Sequence, residues 1–168
     1  MIHLLPATPD DIPAIRDLAH RIWWTHYPGI ISTEQIEYML GWMYGAETLE
    51  RQMTLDGHHF WLVRYAGESI GFIAISQTAP GDYFMHKFYL DTGRQAKGLG
   101  TAAFQALLEQ YPGLRTLRLT VNRRNYKSVN FYFKNGFTIE KCVDIPIGRG
   151  FVMDDFQMIR FTPPPSRL

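Results

Sequence analysis

The spacing of apolar residues changes once along this chain, close to residue 58, and the change limits the folds that are open to it. Before that point apolar residues recur every three or four positions, as on one face of a helix. After it the pattern is mostly that of strands. From end to end it predicts a strand, two or three helices, three strands, a helix, a strand, a helix and two strands. This order predicts an α/β fold with a mixed, mostly antiparallel central sheet of about seven strands, flanked by helices on both sides.

Capping signals support the helical segments. Thr8 precedes Pro9 and two acidic residues, which predicts the start of a first helix. Ser32 and Gln35 form the pattern of a capping box, which predicts the start of a second. Gly136 follows the last short helical pattern and is expected to end that helix in a left-handed conformation.

Length and charge narrow the class of protein. The chain has 168 residues, 46% of them hydrophobic, which predicts one domain over residues 1–162 with a mobile tail at 163–168. Its formal net charge of +1 disfavours a nucleic-acid-binding protein, because such proteins depend on contacts to phosphates. The first residues have no charged segment followed by a long apolar one, and no later apolar run reaches about 18 residues, so we expect neither export nor a membrane span, and a cytoplasmic location. The single cysteine, Cys142, cannot form an internal disulfide.

A glycine-rich turn followed by an amphipathic helix, "DTGRQAKGLGTAAFQALLEQ", lies near the middle of the chain. The N-terminus of a helix offers unpaired amides and the positive end of the helix dipole, and both favour phosphate groups. Gly98 and Gly100 have no Cβ, so a pyrophosphate could approach the main chain, with Arg94 and Lys97 at the rim. The alternative is that these glycines only make a turn.

Two other phosphate-binding turns fit less well. The P-loop requires Lys and then Ser or Thr after its last glycine, but Leu99 follows Gly98. The dinucleotide fingerprint is matched in form by Gly98, Gly100 and Ala103. However, the glycines lie far from the strand end, and "LRLTVNRR" has no acidic residue to bind a ribose. The two arginines of that segment could bind a 2′-phosphate, which keeps an NADP-binding redox domain open.

The segment "QAKGLG" resembles the Q/RxxGxG/A motif with which GNAT-superfamily N-acetyltransferases hold the pyrophosphate of acetyl-CoA. A second segment, "VNRRNYKSVNFYFKNGF" at residues 121–137, resembles the second cofactor segment of that superfamily. The resemblance in layout extends over residues 58–161. It implies the GNAT fold and direct transfer of an acetyl group to a primary amine of a small molecule, of the polyamine, amino acid or amino sugar type. A non-catalytic acyl-CoA-binding sensor is the other reading of the same motifs.

The resemblance also implies the residues that contact acetyl-CoA. Phe88, Tyr89 and Leu90 would pair their main chain with the pantetheine arm, and the end of their strand would direct an N–H toward the thioester oxygen. The remaining cofactor contacts that it implies are Gln95, Ala96, Lys97, Gly98, Leu99, Gly100, Thr101, Asn125 and Asn130. For Asn125 the residues themselves leave a second role open, since Asn is among the best helix N-caps.

Acetyl transfer also needs proton transfer, and here the sequence is less definite. The resemblance assigns the general acid to Tyr132, which stays protonated at neutral pH and can donate to a leaving thiolate. Its spacing also fits a core aromatic residue. The general base stays open between side chains and a water relay. The candidate side chains are His86, Asp82, Glu140, Asp144, Asp154 and Asp155.

The N-terminal helices resemble, more loosely, the variable region with which the superfamily binds the acceptor amine. An aromatic side chain facing the cleft could receive an alkyl chain or a cation. The candidates are Trp23, Trp24, Tyr27, Trp42 and Tyr44, with Glu34 and Glu37 as possible attractors of an amine. His58 and His59 would point to opposite faces of a strand, so no shared metal site and no metal cofactor are expected. The oligomeric state stays open, with a homodimer as one candidate.

Overall fold

Seven strands form one open sheet in the computed structural model, which describes residues 1–91, 93 and 97–163. The strand order is β1-β2-β3-β4-β5-β7-β6. The strands are β1 (Ile2–Pro6), β2 (His59–Tyr65), β3 (Glu68–Ala79), β4 (Asp82–Leu90), β5 (Thr116–Asn122), β6 (Thr138–Gly148) and β7 (Phe151–Phe161). β4 and β5 run parallel, whereas the β1–β2, β2–β3, β5–β7 and β6–β7 pairs are antiparallel. The predicted fold class, a mixed and mostly antiparallel sheet with flanking helices, is confirmed.

Five helices accompany the sheet: α1 (Ile12–His26), α2 (Thr33–Met43), α3 (Ala46–Thr54), α4 (Leu99–Gln110) and α5 (Tyr126–Lys134). The first helical segment begins differently from the prediction. Residues Pro9–Asp11 form a 3₁₀ turn, in which the Asp11 carboxylate accepts from the Thr8 amide at 2.8 Å, and α1 starts after it. At α2 the Ser32 hydroxyl accepts from the Gln35 amide, as a cap should. Gly136, with φ +89, has the predicted left-handed conformation.

One of two compact units comprises Met1–Ser76 and Lys87–Pro112. It holds β1, β2, most of β3, the end of β4 and helices α1 to α4. Strand β3, which is buried on both faces over residues 70–75, helices α1 and α4, which are buried at helical spacing, and Leu49 of α3 supply one set of large apolar side chains. That set includes Ile15, Trp23, Leu49, Phe72, Ile73, Phe104 and Leu107. The core of this unit is therefore mainly aliphatic, with the rings of Trp23, Phe72 and Phe104 among its fully buried side chains.

The second unit comprises Gln77–His86 and Gly113–Leu168. Its strand β5 alternates strictly, and Leu117, Leu119 and Val121 are buried. Val129 and Tyr132 are the buried residues of α5. The outer strand β6 is exposed along nearly its whole length. Cys142 lies on this strand and is exposed.

The single domain predicted over residues 1–162 stays a prediction, and residues 164–168 of the predicted mobile tail lie outside the described residues. Within the part of the chain that the structure describes, none of the helices is long and apolar enough to cross a membrane.

Candidate active site

The glycine-rich turn begins α4 with an open backbone. Gly98 is the N-cap residue and has a left-handed conformation, with φ +84. A Cβ built on Gly98 would meet no atom of the described residues within 4 Å, so this side of the turn is open with respect to them. The first bond of the helix runs from the Ala102 amide to the Gly98 carbonyl at 3.0 Å. The amides of Leu99, Gly100 and Thr101 thus have no acceptor within the helix and can bind an anion.

No side chain competes for these amides among the described residues of the turn: α4 has no side-chain cap and no acidic residue in its first turn. Lys97 and Thr101 are exposed beside it, where an ammonium and a hydroxyl can add to a phosphate site. The predicted contacts Gln95 and Ala96, and also Arg94, lie outside the described residues.

The entrance to the turn is anchored by Asp91. Its Oδ2 accepts from Arg21 Nε of α1 at 2.9 Å, and its Oδ1 accepts from the Gly93 amide at 3.2 Å. The Asp91 amide donates to the Ile70 carbonyl of β3 at 2.7 Å. A single residue thus connects the end of β4 to a helix, to a neighbouring strand and to the following turn.

The predicted pantetheine contacts are half-buried at the end of β4. The parallel ladder joins Asp82–Phe84 to Thr116–Arg118, and Phe88, Tyr89 and Leu90 lie beyond it along β4. The Phe88 ring packs edge-on against Phe104 of α4, with centroids 6.3 Å apart. The Tyr89 hydroxyl lies 3.1 Å from the Tyr27 hydroxyl. These side chains are wall and core residues, which leaves the main chain of the segment for binding.

A lysine that the sequence analysis did not single out is buried next to this segment. Lys87 is 3% exposed, and its Nζ donates to Gln52 Oε1 at 3.2 Å. The Nζ also lies over the rings of Tyr44 and Phe60, at 5.4 and 5.6 Å from their centroids. Burial lowers the pKa of Lys87 to about 8. Burial, with the Lys87 charge nearby, also lowers the pKa of His58.

The aromatic residues predicted to face the acceptor divide into core and surface. Trp23 and Tyr44 are core residues, with ring centroids 5.7 Å apart, and burial raises the pKa of Tyr44 well above its usual value. Trp42 is 49% exposed and stacks on Tyr38. Trp24 and Tyr27 are half-buried, and Tyr27 keeps the hydroxyl contact described above. Glu34 and Glu37 are exposed on α2. Trp23 and Tyr44 are therefore unsuited to touch an acceptor directly.

In the second unit, α5 carries the other predicted residues. Asn125 is buried and is the N-cap of α5, where its Oδ1 accepts from the Ser128 amide at 3.3 Å. Asn130 is exposed. The Tyr132 ring is 8% exposed and packs against Phe131 and Phe137, each with a centroid distance of 5.4 Å. Its ring thus belongs to a core cluster, and its role in acid catalysis stays a prediction.

Most of the predicted base candidates are engaged in polar contacts. Glu140 binds Arg118 through both carboxylate oxygens at 3.0 Å, and these hydrogen bonds lower its pKa. Asp82 accepts from the Thr116 hydroxyl at 2.8 Å. Asp144 Oδ1 accepts from the Arg123 guanidinium at 2.6 Å, and Asp154 Oδ1 accepts from the Asn122 side-chain amide at 3.4 Å. The half-buried His86 ring stacks obliquely on Phe84. A carboxylate with a lowered pKa is a weak base, so Glu140 is poorly suited to the task.

Asp155 has a different environment. It is 6% exposed on β7, opposite Asn122 of β5 and Val143 of β6. Burial and, to a smaller extent, the Asp154 carboxylate raise its pKa to about 6, while a hydrogen bond from Thr120 acts in the opposite direction. It forms no ion pair among the residues that the structure describes. Such a carboxylate can both take up and release a proton near neutral pH.

The sequence analysis did not single out Lys87 and Gly71, and it did not rank Asp155 above the other base candidates. Each of these residues has a weak signal in the sequence. Lys87 shares the buried phase of β4 with Met85, so a lysine there departs from the alternation. Gly71 interrupts the apolar strand segment "SIGFIAIS", which is a known sign of close backbone approach. Asp155 falls on a buried position of β7, and a strand pattern cannot show which partners surround it.

His58 and His59 do not form a metal site together with other ligands: within the described ranges no cluster of three or more His, Cys, Asp or Glu side chains could hold a metal ion. His59 Nδ1 instead lies 3.3 Å from the Tyr111 hydroxyl, and His58 stacks on Phe60.

Comparison with known proteins places the chain in one family. It is 28% identical over 151 residues to the spermidine N(1)-acetyltransferase of Thermoplasma acidophilum, which covers 86% of this chain and 91% of the relative. The crystal structure of PaiA N-acetyltransferase from the same organism, in complex with coenzyme A, has a TM-score of 0.79 and 25% identity, covering 96% of this chain and 99% of that one. A GCN5-related N-acetyltransferase structure from Rhodopseudomonas palustris has a TM-score of 0.77 at 17% identity, with 95% of each chain covered, and shares the fold.

The model of the acetyltransferase (GNAT) family matches residues 16–137, which is more than half of the chain. The family predicted from the two cofactor motifs is thereby confirmed, and the NADP-binding alternative is wrong. The chain belongs to the acetyltransferase (GNAT) family and is an acetyl-CoA-dependent N-acetyltransferase.

Proposed function

We propose that the enzyme acetylates a primary amine of a small molecule by direct attack of the amine on the thioester carbonyl. The observation that carries this proposal is the open turn at Gly98, with its uncapped amides at the start of α4. Polyamines are the first acceptor class to test, because a relative at 28% identity is a spermidine N(1)-acetyltransferase. Amino acids and amino sugars are the other two classes of the proposal.

We assign the diphosphate of acetyl-CoA to the amides of Leu99, Gly100 and Thr101, with Lys97 and the Thr101 hydroxyl at the edge. The main chain of Phe88, Tyr89 and Leu90 is assigned to the pantetheine arm. Asn125 already uses its side-chain oxygen as a helix cap, so its proposed contact to the cosubstrate falls to its amide nitrogen. Gln95, Ala96 and Asn130 complete the proposed set.

In the proposed reaction, the lone pair of the neutral amine attacks the carbonyl carbon of the acetyl group, and a C–N bond forms. The C–S bond then breaks, its electron pair leaves with the sulfur, and the thiolate takes the hydroxyl proton of Tyr132. The proton lost by the amine passes to Asp155 through a water relay. Proton exchange with solvent returns Tyr132 and Asp155 to their starting states.

Asp155 is preferred over the other base candidates because of its surroundings. Its pKa of about 6 is nearest to neutral among the described carboxylates with a resolved shift, whereas that of Glu140 is lowered by Arg118. A base with a pKa near the working pH is deprotonated and still basic enough to accept a proton.

The test is release of free thiol from acetyl-CoA in the presence of spermidine, an α-amino acid or an amino sugar. We expect saturable turnover with one of these classes and none with a matched tertiary amine, which cannot form an amide. Thermal stabilisation by acetyl-CoA without thiol release for any amine would instead favour the acyl-CoA-binding sensor. At 100 times the dissociation constant that stabilisation is about 2.7 kcal/mol. Absence of binding heat with coenzyme A at millimolar concentration would overturn the site. A homodimer and a cytoplasmic location stay predictions.

A further inference from the structure

Gly71 lies inside β3 at a point where a neighbouring backbone leaves no room for a side chain. A Cβ built on it would lie 2.1 Å from the Tyr89 carbonyl oxygen, 2.6 Å from Leu90 Cδ2 and 3.0 Å from Leu90 Cα. Its φ is not in the left-handed region, so the backbone conformation alone does not require glycine. The requirement is therefore the close approach of the Tyr89–Leu90 peptide of β4.

The Tyr89–Leu90 segment is held on other sides as well. The Tyr89 ring packs against Trp23 and Phe72, with centroid distances of 5.7 and 5.6 Å, and its hydroxyl contacts that of Tyr27. The next residue, Asp91, is bound to Ile70 through its amide. Because these contacts fix Tyr89 and Asp91, the residues on either side of Leu90, the segment cannot move away from β3 as a rigid strand. A side chain at position 71 would have to rotate the peptide itself.

The orientation of this peptide determines where the Leu90 amide points. The described backbone has no cis peptide bonds, and in a trans peptide the C=O and the following N–H point in opposite directions. The Tyr89 carbonyl oxygen lies over Gly71, so the Leu90 N–H points away from β3. An N–H on that side of β4 is free of the β3 ladder and can donate to a ligand lying along the strand.

We propose that Gly71 is a positioning residue for acetyl transfer: its missing side chain fixes the Tyr89–Leu90 peptide so that the Leu90 N–H donates to the thioester oxygen as that oxygen gains charge. The inference rests on the proposed function, since it requires the acetyl group to lie along the end of β4. Gly71 does not itself touch the cosubstrate. It acts by leaving room for the Tyr89–Leu90 peptide.

The decisive measurement uses the wild-type chain and nitrogen-15 amide spectra, with coenzyme A and acetyl-CoA as separate ligands. Both ligands carry the diphosphate, so both should shift the amides of Leu99, Gly100 and Thr101. Only acetyl-CoA carries the thioester oxygen, so we expect the Leu90 amide to move downfield with acetyl-CoA relative to coenzyme A. A Leu90 amide that responds alike to both ligands, while the α4 amides respond, overturns the role of Gly71 alone. If none of these amides shifts with either ligand, the proposed cosubstrate site is overturned as well.

Gly71→Ala tests the same proposal through the rate. Loss of one well-placed backbone donor lowers kcat by about 100-fold to 1000-fold. We expect a fall of that size, with the affinity for coenzyme A changed by less than about tenfold, because coenzyme A has no thioester oxygen to lose. Gly41→Ala is the matched control: Gly41 is exposed on α2, its Cβ would meet none of the described atoms within 4 Å, and kcat should stay the same.

A second substitution separates the peptide from the Leu90 side chain. Leu90→Ala removes the contact at Cδ2 but leaves the 2.1 Å conflict with the Tyr89 carbonyl oxygen. If the peptide is the cause, the double variant Gly71→Ala, Leu90→Ala stays as slow as Gly71→Ala. Recovery of kcat in the double variant would show that crowding of the side chain is responsible and would overturn the proposal. If Gly71→Ala does not fold, the wild-type spectra decide the question.

Discussion

The two compact units offer different kinds of groups to the reaction. In the first, the assigned groups are main-chain amides, at the start of α4 and at the end of β4. In the second they are the two side chains proposed to move protons, Tyr132 and Asp155. Lys87 in the first unit and Asp155 in the second are both buried, and burial acts on the two in opposite directions: it lowers the pKa of Lys87 to about 8 and raises that of Asp155 to about 6.

This contrast can be tested by substitution. Backbone groups cannot be deleted by substitution, so changes in the first unit should act through strain: at the start of α4 they should mainly alter affinity, and at Gly71, beside the end of β4, they should mainly alter kcat. Changes at Tyr132 or Asp155 should alter rate and pH dependence with little effect on affinity. Lys87 is assigned no step in the reaction, so its removal should change stability only.

The largest effect is expected for Asp155→Asn. Loss of a general base lowers the rate by roughly 100-fold to 10,000-fold, and we expect a value near the middle of that range. The wild-type profile of kcat/KM against pH should rise through a pKa of about 6, and this limb should vanish in the variant. Asp154→Asn is the control, because it removes a neighbouring carboxylate that contacts Asn122, and its rate should change only a few-fold. Retention of the limb in Asp155→Asn would reassign the base.

The same variant should be more stable than the wild type at neutral pH. The pKa of Asp155 is higher in the folded state than its ordinary value of 3.8, so the folded state binds more protons between about pH 4 and pH 6. Stability then falls as pH rises through that window, by up to roughly 3 kcal/mol. Chemical denaturation at pH 4 and pH 7 measures this difference, which should be largely absent in Asp155→Asn. A wild-type stability that rises through this window in step with the variant's would contradict the assignment.

Tyr132→Phe keeps the ring in its core cluster and removes the hydroxyl. We expect kcat to fall about 100-fold, the low end for loss of a general acid, with the dissociation constant for coenzyme A nearly unchanged. Stopped-flow thiol release and calorimetry measure the two quantities. Phe131→Leu perturbs the neighbouring ring and checks whether packing alone lowers the rate. An unaltered rate in Tyr132→Phe would remove this residue from the mechanism.

Gly98→Val should weaken coenzyme A binding by about tenfold, because a β-branched residue is strained at φ +84 and its side chain would occupy the open side of the turn. kcat at saturating acetyl-CoA should be preserved. Calorimetric titration gives the affinity, and Gly113→Ala, at a position with open space and no positive φ, serves as the control. An unchanged dissociation constant would show that the turn has a structural role alone.

The smallest effect belongs to Lys87→Met, which should raise stability at pH 7 by about 1 kcal/mol. The charged amine costs up to roughly 3 kcal/mol when buried, and loss of the bond to Gln52 offsets part of the gain. The unfolded state keeps the ordinary pKa of 10.5, so wild-type stability should rise between about pH 8 and 10.5, a rise missing from the variant. Equal pH dependence of the two proteins would mean that Lys87 is not buried as a titratable amine.

Much of the fold could be predicted because period and capping are local properties. The order of elements followed from hydrophobic spacing, and the turn at Gly98 followed from a glycine motif at a helix start. The surroundings of a side chain, by contrast, depend on residues that are distant in sequence. Lys87 is buried only because Tyr44 and Phe60, far away in sequence, cover it. Gly71 is required only because Tyr89 approaches it, and one apolar strand segment gives no information about its neighbour. The same limit kept the base unassigned, since the surroundings of six candidates were unknown.

Helix α1 is tied to the end of β4 at two points, by the Arg21–Asp91 ion pair and by the paired hydroxyls of Tyr27 and Tyr89. A ligand that binds along β4 and fixes the end of this strand therefore also fixes the C-terminal part of α1. We expect this linkage to appear in steady-state kinetics as compulsory order, with acetyl-CoA adding before the amine and coenzyme A departing last. Product inhibition by coenzyme A would then be competitive toward acetyl-CoA and mixed toward the acceptor.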